Sequence, residues 1–126
     1  MTDGHGPQHK RFEIPQRPYR EFTPGGRATM RDSIRFELHP SGKSVCLNTL
    51  IDRVLEDEHY TAIPWNGFPA PVYLVHDEQT ASAFRVIVFE ENIAIDVLPK
   101  TSEAGLARFY RSVTSATHGE WDITRS

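Results

Sequence analysis

The chain has 126 residues, of which 38% are hydrophobic and 25% charged, and its formal net charge is −3. This length supports one hydrophobic core but not two, and the composition is that of an ordinary soluble protein. The longest apolar runs are short or interrupted by charge, which excludes a membrane span.

Charge divides the chain near residue 31. Residues 1–31 hold six basic and three acidic side chains, a net charge of +3, whereas the remainder holds eight basic and fourteen acidic ones, a net charge of −6. We therefore expect an extended basic arm over 1–31 and an acidic domain over 32–126. Because the two parts have opposite charge, the arm is expected to lie against something acidic.

The arm is rich in proline and glycine, which forbids a long helix and favours extended backbone. Its cations alternate with aromatic residues, a pattern that suits either anchoring to a protein or base stacking with phosphate contacts. The arm residues predicted to contact a partner are Phe12, Arg17, Tyr19, Arg20 and Phe22.

The first elements of the domain are a strand and a helix. Strict alternation of apolar and polar residues from Ser33 to His39 predicts a half-buried strand. A helix is predicted from Ser44, as the N-cap, to about Tyr60, and Cys46 within it is interpreted as a structural thiol. The apolar stripe of this helix consists of Leu47, Leu50, Ile51 and Val54.

Residues 61–71 are predicted to form a loop, because three prolines and a glycine exclude regular pairing. Trp65 and Phe68 are unusual residues for a mere connector. We therefore predict that both contact a partner.

Three strands follow at 72–76, 83–89 and 92–98. If residues 90–91 form a two-residue turn, Val88 opposes Ile93 and Arg85 opposes Asp96. This register gives one wholly apolar face, made of Phe84, Val86, Val88, Ile93, Ile95 and Val97.

The opposite face carries the charged pair Arg85 and Asp96 together with Ile87, Phe89, Ala94 and Leu98. This is too much apolar area to leave in water, so we expect a cover over it. Ile87 and Phe89 are counted among the predicted partner contacts. In the simplest arrangement, Phe12, Tyr19 and Phe22 of the arm fold back onto this face.

A second helix is predicted over 101–116, with Thr101 or Ser102 as its N-cap and a weak first turn at Gly105. A short strand over 120–124 ends the chain. The order β-α-β-β-β-α-β predicts a single α+β domain whose largely antiparallel sheet packs on two helices. From residue 44 onward, this order resembles small acidic dimeric chaperones of bacterial secretion systems, several phage-encoded inhibitors and virion connector proteins.

No motif predicts catalysis, a metal or a cofactor. The residues 41–44 resemble the end of a phosphate-binding loop, but Glu37 stands where the first glycine of that loop is required. The six histidines show no zinc or metalloprotease spacing. The acidic runs 56–58 and 90–91 are interpreted as solvated carboxylates.

We therefore predict a non-catalytic protein-binding module in the cytoplasm: an inhibitor, immunity protein, chaperone or assembly component, of phage or bacterial type. The absence of a signal-peptide pattern and the single cysteine indicate a reducing compartment. A homodimer is one expected form, because the arm and the acidic body can dock in trans as readily as in cis. The alternatives are a small enzyme using His39 or His76 in a cleft between the first strand and the three later strands, and nucleic-acid binding through the arm, which the acidic body disfavours.

Overall fold

A computed structural model describes residues 12–14, 20–22, 28–30, 34–41 and 45–125. The elements in chain order are β1 (Arg20–Phe22), β2 (Ala28–Met30), β3 (Arg35–Pro40), α1 (Leu47–Val54), β4 (Tyr60–Pro64), β5 (Val72–Asp77), β6 (Ser82–Val88), β7 (Ile93–Val97), α2 (Glu103–Thr117) and β8 (Trp121–Arg125). Strands β1 and β2 form a separate antiparallel pair, and the other six form one sheet in the order β4-β5-β6-β7-β3-β8. Every neighbouring pair in the six-stranded sheet is antiparallel, which confirms the predicted α+β class.

The predicted register between β6 and β7 is confirmed. Val88 pairs with Ile93, and Arg85 pairs with Asp96. A backbone hydrogen bond of 2.9 Å from the Phe89 N–H to the Asn92 carbonyl closes the two-residue turn. One side of the sheet, the core face, carries all six predicted apolar side chains, and each of them is buried.

Both helices pack on the core face. The predicted stripe of α1 is buried, as are Leu106, Phe109, Tyr110 and Val113 of α2. The rings of Phe84 on β6 and Phe109 meet edge-to-face with their centroids 5.3 Å apart. These contacts join the sheet and the two helices in one hydrophobic core.

The segment after α1 differs from its prediction. Helix α1 spans Leu47–Val54 and does not continue to Tyr60, and the predicted N-cap Ser44 lies outside the described residues. Tyr60, predicted as the end of the helix, and residues 61–64, predicted as loop, form the edge strand β4 paired with β5. Proline is tolerated there because it closes an edge strand, where its missing N–H breaks no ladder bond. This extra strand departs from the element order on which the architectural resemblance was based.

Helix α2 begins as predicted, with Ser102 as the N-cap accepting a 3.1 Å hydrogen bond from the Gly105 N–H. The glycine has a packing reason that the sequence did not reveal. A Cβ at position 105 would overlap the buried side chain of Ser82 on β6. The Ser82 hydroxyl in turn accepts a 2.9 Å hydrogen bond from the Ser102 N–H. Glycine therefore permits the first turn of α2 to approach the sheet closely.

Part of the arm belongs to the core. Phe12 is 2% exposed, and its ring contacts Phe36 of β3 and Tyr110 of α2 edge-to-face at centroid distances of 5.2 and 5.8 Å. The Ile14 N–H donates a 2.7 Å hydrogen bond to the Glu103 carboxylate. The expectation that Phe12 covers the opposite face of the sheet is therefore wrong, since its ring lies on the core face.

A charged network fixes α2 to the edge of the sheet. Arg108 lies 3.1 Å from the Asp57 carboxylate and 3.4 Å from that of Asp77, which is fully buried. Its guanidinium also lies over the Tyr60 ring, 4.6 Å from the centroid, and burial raises the pKa of that tyrosine. Asp57, interpreted from the sequence as a solvated acid, is instead held by this ion pair and by the 2.8 Å hydrogen bond it accepts from the His59 N–H.

The burial of Phe12 predicts that Phe12→Ala lowers the free energy of unfolding by about 3 kcal/mol. The matched substitution Phe68→Ala, at a ring that is 52% exposed, should change it by less than about 0.5 kcal/mol. Urea unfolding of both variants checks this. Equal effects of the two substitutions would show that Phe12 does not belong to the core.

The approach of α2 to Ser82 predicts that Gly105→Ala destabilises the protein by about 1–3 kcal/mol, because overpacking outweighs the gain in helix propensity. Gly119→Ala is the control, since a Cβ there meets its nearest neighbour atom at 3.8 Å. Urea unfolding compares the two variants. A stabilised Gly105→Ala protein would contradict the close approach.

Candidate functional site

The large hydrophobic side chains that are exposed in the described part of the chain lie close together in sequence. They are Ile63, 57% exposed, Trp65, 48% exposed, and Phe68, 52% exposed. The rings of Trp65 and Phe68 meet edge-to-face at 5.9 Å. A 2.8 Å hydrogen bond from the Trp65 N–H to the Val72 carbonyl closes the base of the loop 65–71, hereafter the aromatic loop. β4 and this loop thus form one apolar patch at the edge of the sheet.

Strand β4 offers little main chain for pairing with another strand. The carbonyl of His59 and the N–H of Trp65 bond to the β5 side, so the main-chain groups at positions 60, 62 and 64 point to the free edge. The Tyr60 N–H already donates to Asp57, and Pro64 has no N–H. Ala62 is therefore the one residue of β4 that presents an N–H to this edge.

A charged cluster occupies the second face of the sheet, the face opposite the core face. Asp96 on β7 is 6% exposed and lies between Arg35 of β3 and Arg85 of β6. Arg35 donates through Nε and Nη2 at 2.6 and 3.1 Å, and Arg85 donates through the same two atoms at 2.9 and 2.7 Å. These three residues, hereafter the arginine–aspartate cluster, carry two positive charges and one negative charge.

The geometry sets the protonation of the cluster. Burial alone would raise the pKa of Asp96, but the hydrogen bonds from Arg35 and Arg85 and their positive charges outweigh it and lower that pKa. The hydrogen bond to Asp96 raises the pKa of Arg35. The cluster therefore keeps its charges at neutral pH, with a net charge of +1.

A cavity of about 620 Å³ lies beside the cluster. Its apolar lining comes from the aromatic loop and from β6 and the turn that follows it, and both arginines of the cluster also line it. Among the described residues, the lining consists of Arg35, Asn48, Phe68, Pro69, Ala70, Pro71, Val72, Arg85, Ile87, Val88, Phe89 and Glu90. A concave apolar surface with a few convergent charged groups is typical of a ligand-binding site.

The structure brings together four of the predicted contact residues. Phe68, Ile87 and Phe89 line the cavity, and the Arg85 guanidinium lies 5.8 Å from the centroid of the Trp65 ring. The expected cover over the second face is partial, because Ala94 and Asp96 are buried whereas Ile87 and Phe89 are half-buried.

The arm residues give a different outcome. Phe12 lies in the core and is not an exposed anchor for a partner. Arg20 and Phe22 lie in β1, whereas Arg17 and Tyr19 lie outside the described residues.

The cleft that the histidine hypothesis requires is not found among the described strands. Strand β3 pairs directly with β7, so among the described strands no cleft separates β3 from β5, β6 and β7. His39 is partly exposed, and its Nε2 lies 3.2 Å from the Thr124 hydroxyl and 3.5 Å from the Glu37 carboxylate. His76 is exposed on β5, three strands away from β3 in the sheet order. The two histidines therefore share no site.

Cys46 is also placed differently from its prediction. It is exposed at the N-cap of α1 and does not lie within the helix. The Thr49 hydroxyl donates a 3.3 Å hydrogen bond to its sulfur, which lowers the pKa of the thiol. Its role is therefore not that of a buried structural thiol.

Sequence reasoning missed Arg35 as a site residue. Strict alternation over the first strand did place it on the polar face, but its neighbours depend on β3 inserting between β7 and β8, a long-range pairing. Once that strand order is known, the register alone places Arg35 opposite Asp96.

Comparison with models of protein families, with curated proteins and with solved structures finds no match for the chain. In the described residues, no three His, Cys, Asp or Glu side chains are arranged to hold a metal ion. Within the same residues, no helix has the length and apolar character needed to span a bilayer. The exposed patch and the adjacent cavity are therefore the features of the described residues that bear on function.

The low pKa of Asp96 predicts a pH-dependent contribution to stability. A carboxyl whose pKa is lower in the folded than in the unfolded state stabilises the fold above its unfolded pKa of about 3.9, and this stabilisation is lost as the pH falls towards the folded value. Asp96→Asn should therefore lower the free energy of unfolding by about 2 kcal/mol at pH 7. The gap between wild type and variant should narrow from about pH 4 downwards.

Urea unfolding at pH 7, 4 and 3 measures this gap. Asp52→Asn, at an exposed position of α1, is the control and should leave the stability at every pH close to that of wild type. A gap for Asp96→Asn that stays constant with pH would contradict the assignment.

Proposed function

We propose that this protein is a non-catalytic protein-binding module whose contact surface consists of β4 and the aromatic loop. The observation that carries the proposal is the clustering of Ile63, Trp65 and Phe68, the exposed large hydrophobic side chains of the described residues. Contiguous exposed apolar surface of this kind is rare on monomeric proteins, and it typically marks an interaction site.

The residue types of the patch support a protein partner. Tryptophan and arginine are enriched among the residues that dominate binding energy at protein interfaces. Here Trp65 lies against the Arg85 guanidinium, and its ring is braced by Phe68. Bracing lowers the conformational entropy that these side chains lose when a partner binds.

The expected mode of contact is through side chains. Strand β4 presents a single N–H to its free edge, so an added strand gains few main-chain hydrogen bonds there. The apolar side chains beside that edge are therefore the surface that a partner buries. Inhibitors, immunity proteins, chaperones and assembly components act through surfaces of this type. Because the Cys46 thiol is exposed, a reducing compartment such as the cytoplasm suits this binding.

Site-specific photo-crosslinking in cells of the native source tests the proposal. A benzophenone amino acid replaces Phe68, and in a second protein it replaces Arg111, an exposed residue of α2. We expect position 68 to give one discrete crosslinked protein and position 111 to give none. Adding Trp65→Ala to the first protein should reduce its crosslink at least tenfold, because the main aromatic contact is lost.

Two results would overturn the proposal. One is the absence of any crosslink from position 68, and the other is the same set of crosslinked proteins from both positions. A crosslink between two copies of this chain would identify the partner as the protein itself.

A further inference from the structure

Among the described residues, the arginine–aspartate cluster has hydrogen-bond donors that no protein acceptor uses. Each guanidinium has five N–H groups, and Arg35 and Arg85 donate to Asp96 through Nε and Nη2. Within the described part of the chain, the Nη1 group of neither arginine donates a hydrogen bond to another residue. Both side chains are about one-third exposed, at 35% and 33%, and both line the cavity.

The geometry of these donors is fixed before any ligand arrives. Asp96 is buried at the register point where β3 and β6 flank β7, and it holds both guanidiniums by paired hydrogen bonds. Two positive charges on one buried negative charge leave +1 at this end of the cavity. A fixed guanidinium fork matches the planar geometry of a carboxylate.

The rest of the cavity is mainly apolar. Phe68, Ile87 and Phe89 provide aromatic and aliphatic lining, and the segment 69–71 of the aromatic loop adds two prolines. The volume of about 620 Å³ falls in the range of pockets that bind small organic molecules. The cavity therefore combines a charged end with an apolar interior.

A negatively charged residue lies at the end of the cavity away from the arginines, and it restricts which ligand tails fit there. Glu90 also lines the cavity and lies in the turn after β6, and the end of β6 at Val88 is about 10 Å of extended backbone from Arg85. A ligand with a second anionic group at its tail would therefore approach the Glu90 carboxylate. Like charges in contact are unfavourable, so the tail is expected to be neutral.

We propose that this cavity binds a small monocarboxylate with an apolar tail. Its carboxylate accepts hydrogen bonds from the Nη1 groups of Arg35 and Arg85, and its tail lies against Phe68, Ile87 and Phe89. This site adjoins the proposed protein-binding surface and shares Phe68 and the segment 69–71 with it. Carboxylate recognition by Arg35 and Arg85 does not require a bound protein, so neither proposal depends on the other.

Isothermal titration calorimetry of the full chain tests the site with three probes of equal chain length: octanoate, octan-1-ol and octanedioate. We expect octanoate to bind at least tenfold more tightly than octan-1-ol, because the alcohol lacks the charge that the arginines recognise. We also expect octanoate to bind more tightly than octanedioate, because the second carboxylate of octanedioate approaches Glu90.

Single variants identify the residues responsible. Arg35→Gln and Arg85→Gln should each weaken octanoate binding at least tenfold, while each leaves Asp96 paired with the other arginine and so preserves the fold. Arg111→Gln makes the same charge change on the exposed surface of α2 and should leave the affinity unchanged. Urea unfolding of each variant verifies that it is folded at the titration temperature.

Three outcomes would overturn the proposal. The first is no binding of octanoate at millimolar concentration. The second is equal affinity for the acid and the alcohol, which would show an apolar pocket without carboxylate recognition. The third is equal weakening by Arg111→Gln, which would show a general charge effect. The crosslinking from position 68 is measured without these probes, so either proposal can fail alone.

Discussion

The hydrogen bonding of Asp96 is the constraint on which the sheet depends. A carboxylate that is 6% exposed is tolerated because Arg35 and Arg85 donate four hydrogen bonds to it from the strands on either side. A slip of β7 by one residue would turn Asp96 into the core and move Ile95 out of it. The apolar core and the charged second face therefore specify the same strand register, one by burial and the other by ion pairing.

The same arrangement explains why the candidate site lies where it does. One face of the sheet is occupied by α1 and α2, so the binding features are left to the second face and to the free edge at β4. The network around Arg108 holds β4 and α2 together from the core side. With its base fixed in this way, the aromatic loop can expose Trp65 and Phe68 without loss of order in the strands beside it.

Local sequence patterns predicted the features of the fold that depend on residues close together in the sequence. The turn after β6 set the pairing of Arg85 with Asp96, and apolar spacing identified the buried stripes of both helices. Contacts between distant segments were not predictable in this way. The insertion of β3 between β7 and β8 and the burial of Phe12 against Tyr110 depend on tertiary packing. β4 was missed because its proline was taken to exclude pairing, although an edge strand tolerates one.

The place of β3 in the sheet has a consequence for synthesis of the chain on the ribosome. β3 is synthesised early, yet both of its neighbours, β7 and β8, come from the later part of the sequence. The Phe12 ring likewise cannot contact Tyr110 until α2 has been synthesised. Strands β4 to β7 and their turns can pair with one another as soon as they emerge, since each contacts the next along the chain. β3 can pair with β7 once Ile93–Val97 has emerged, but its second neighbour is missing until Trp121–Arg125 has been translated. Nascent chains that end before α2 expose the apolar side of β3, and they are the species that a chaperone would bind.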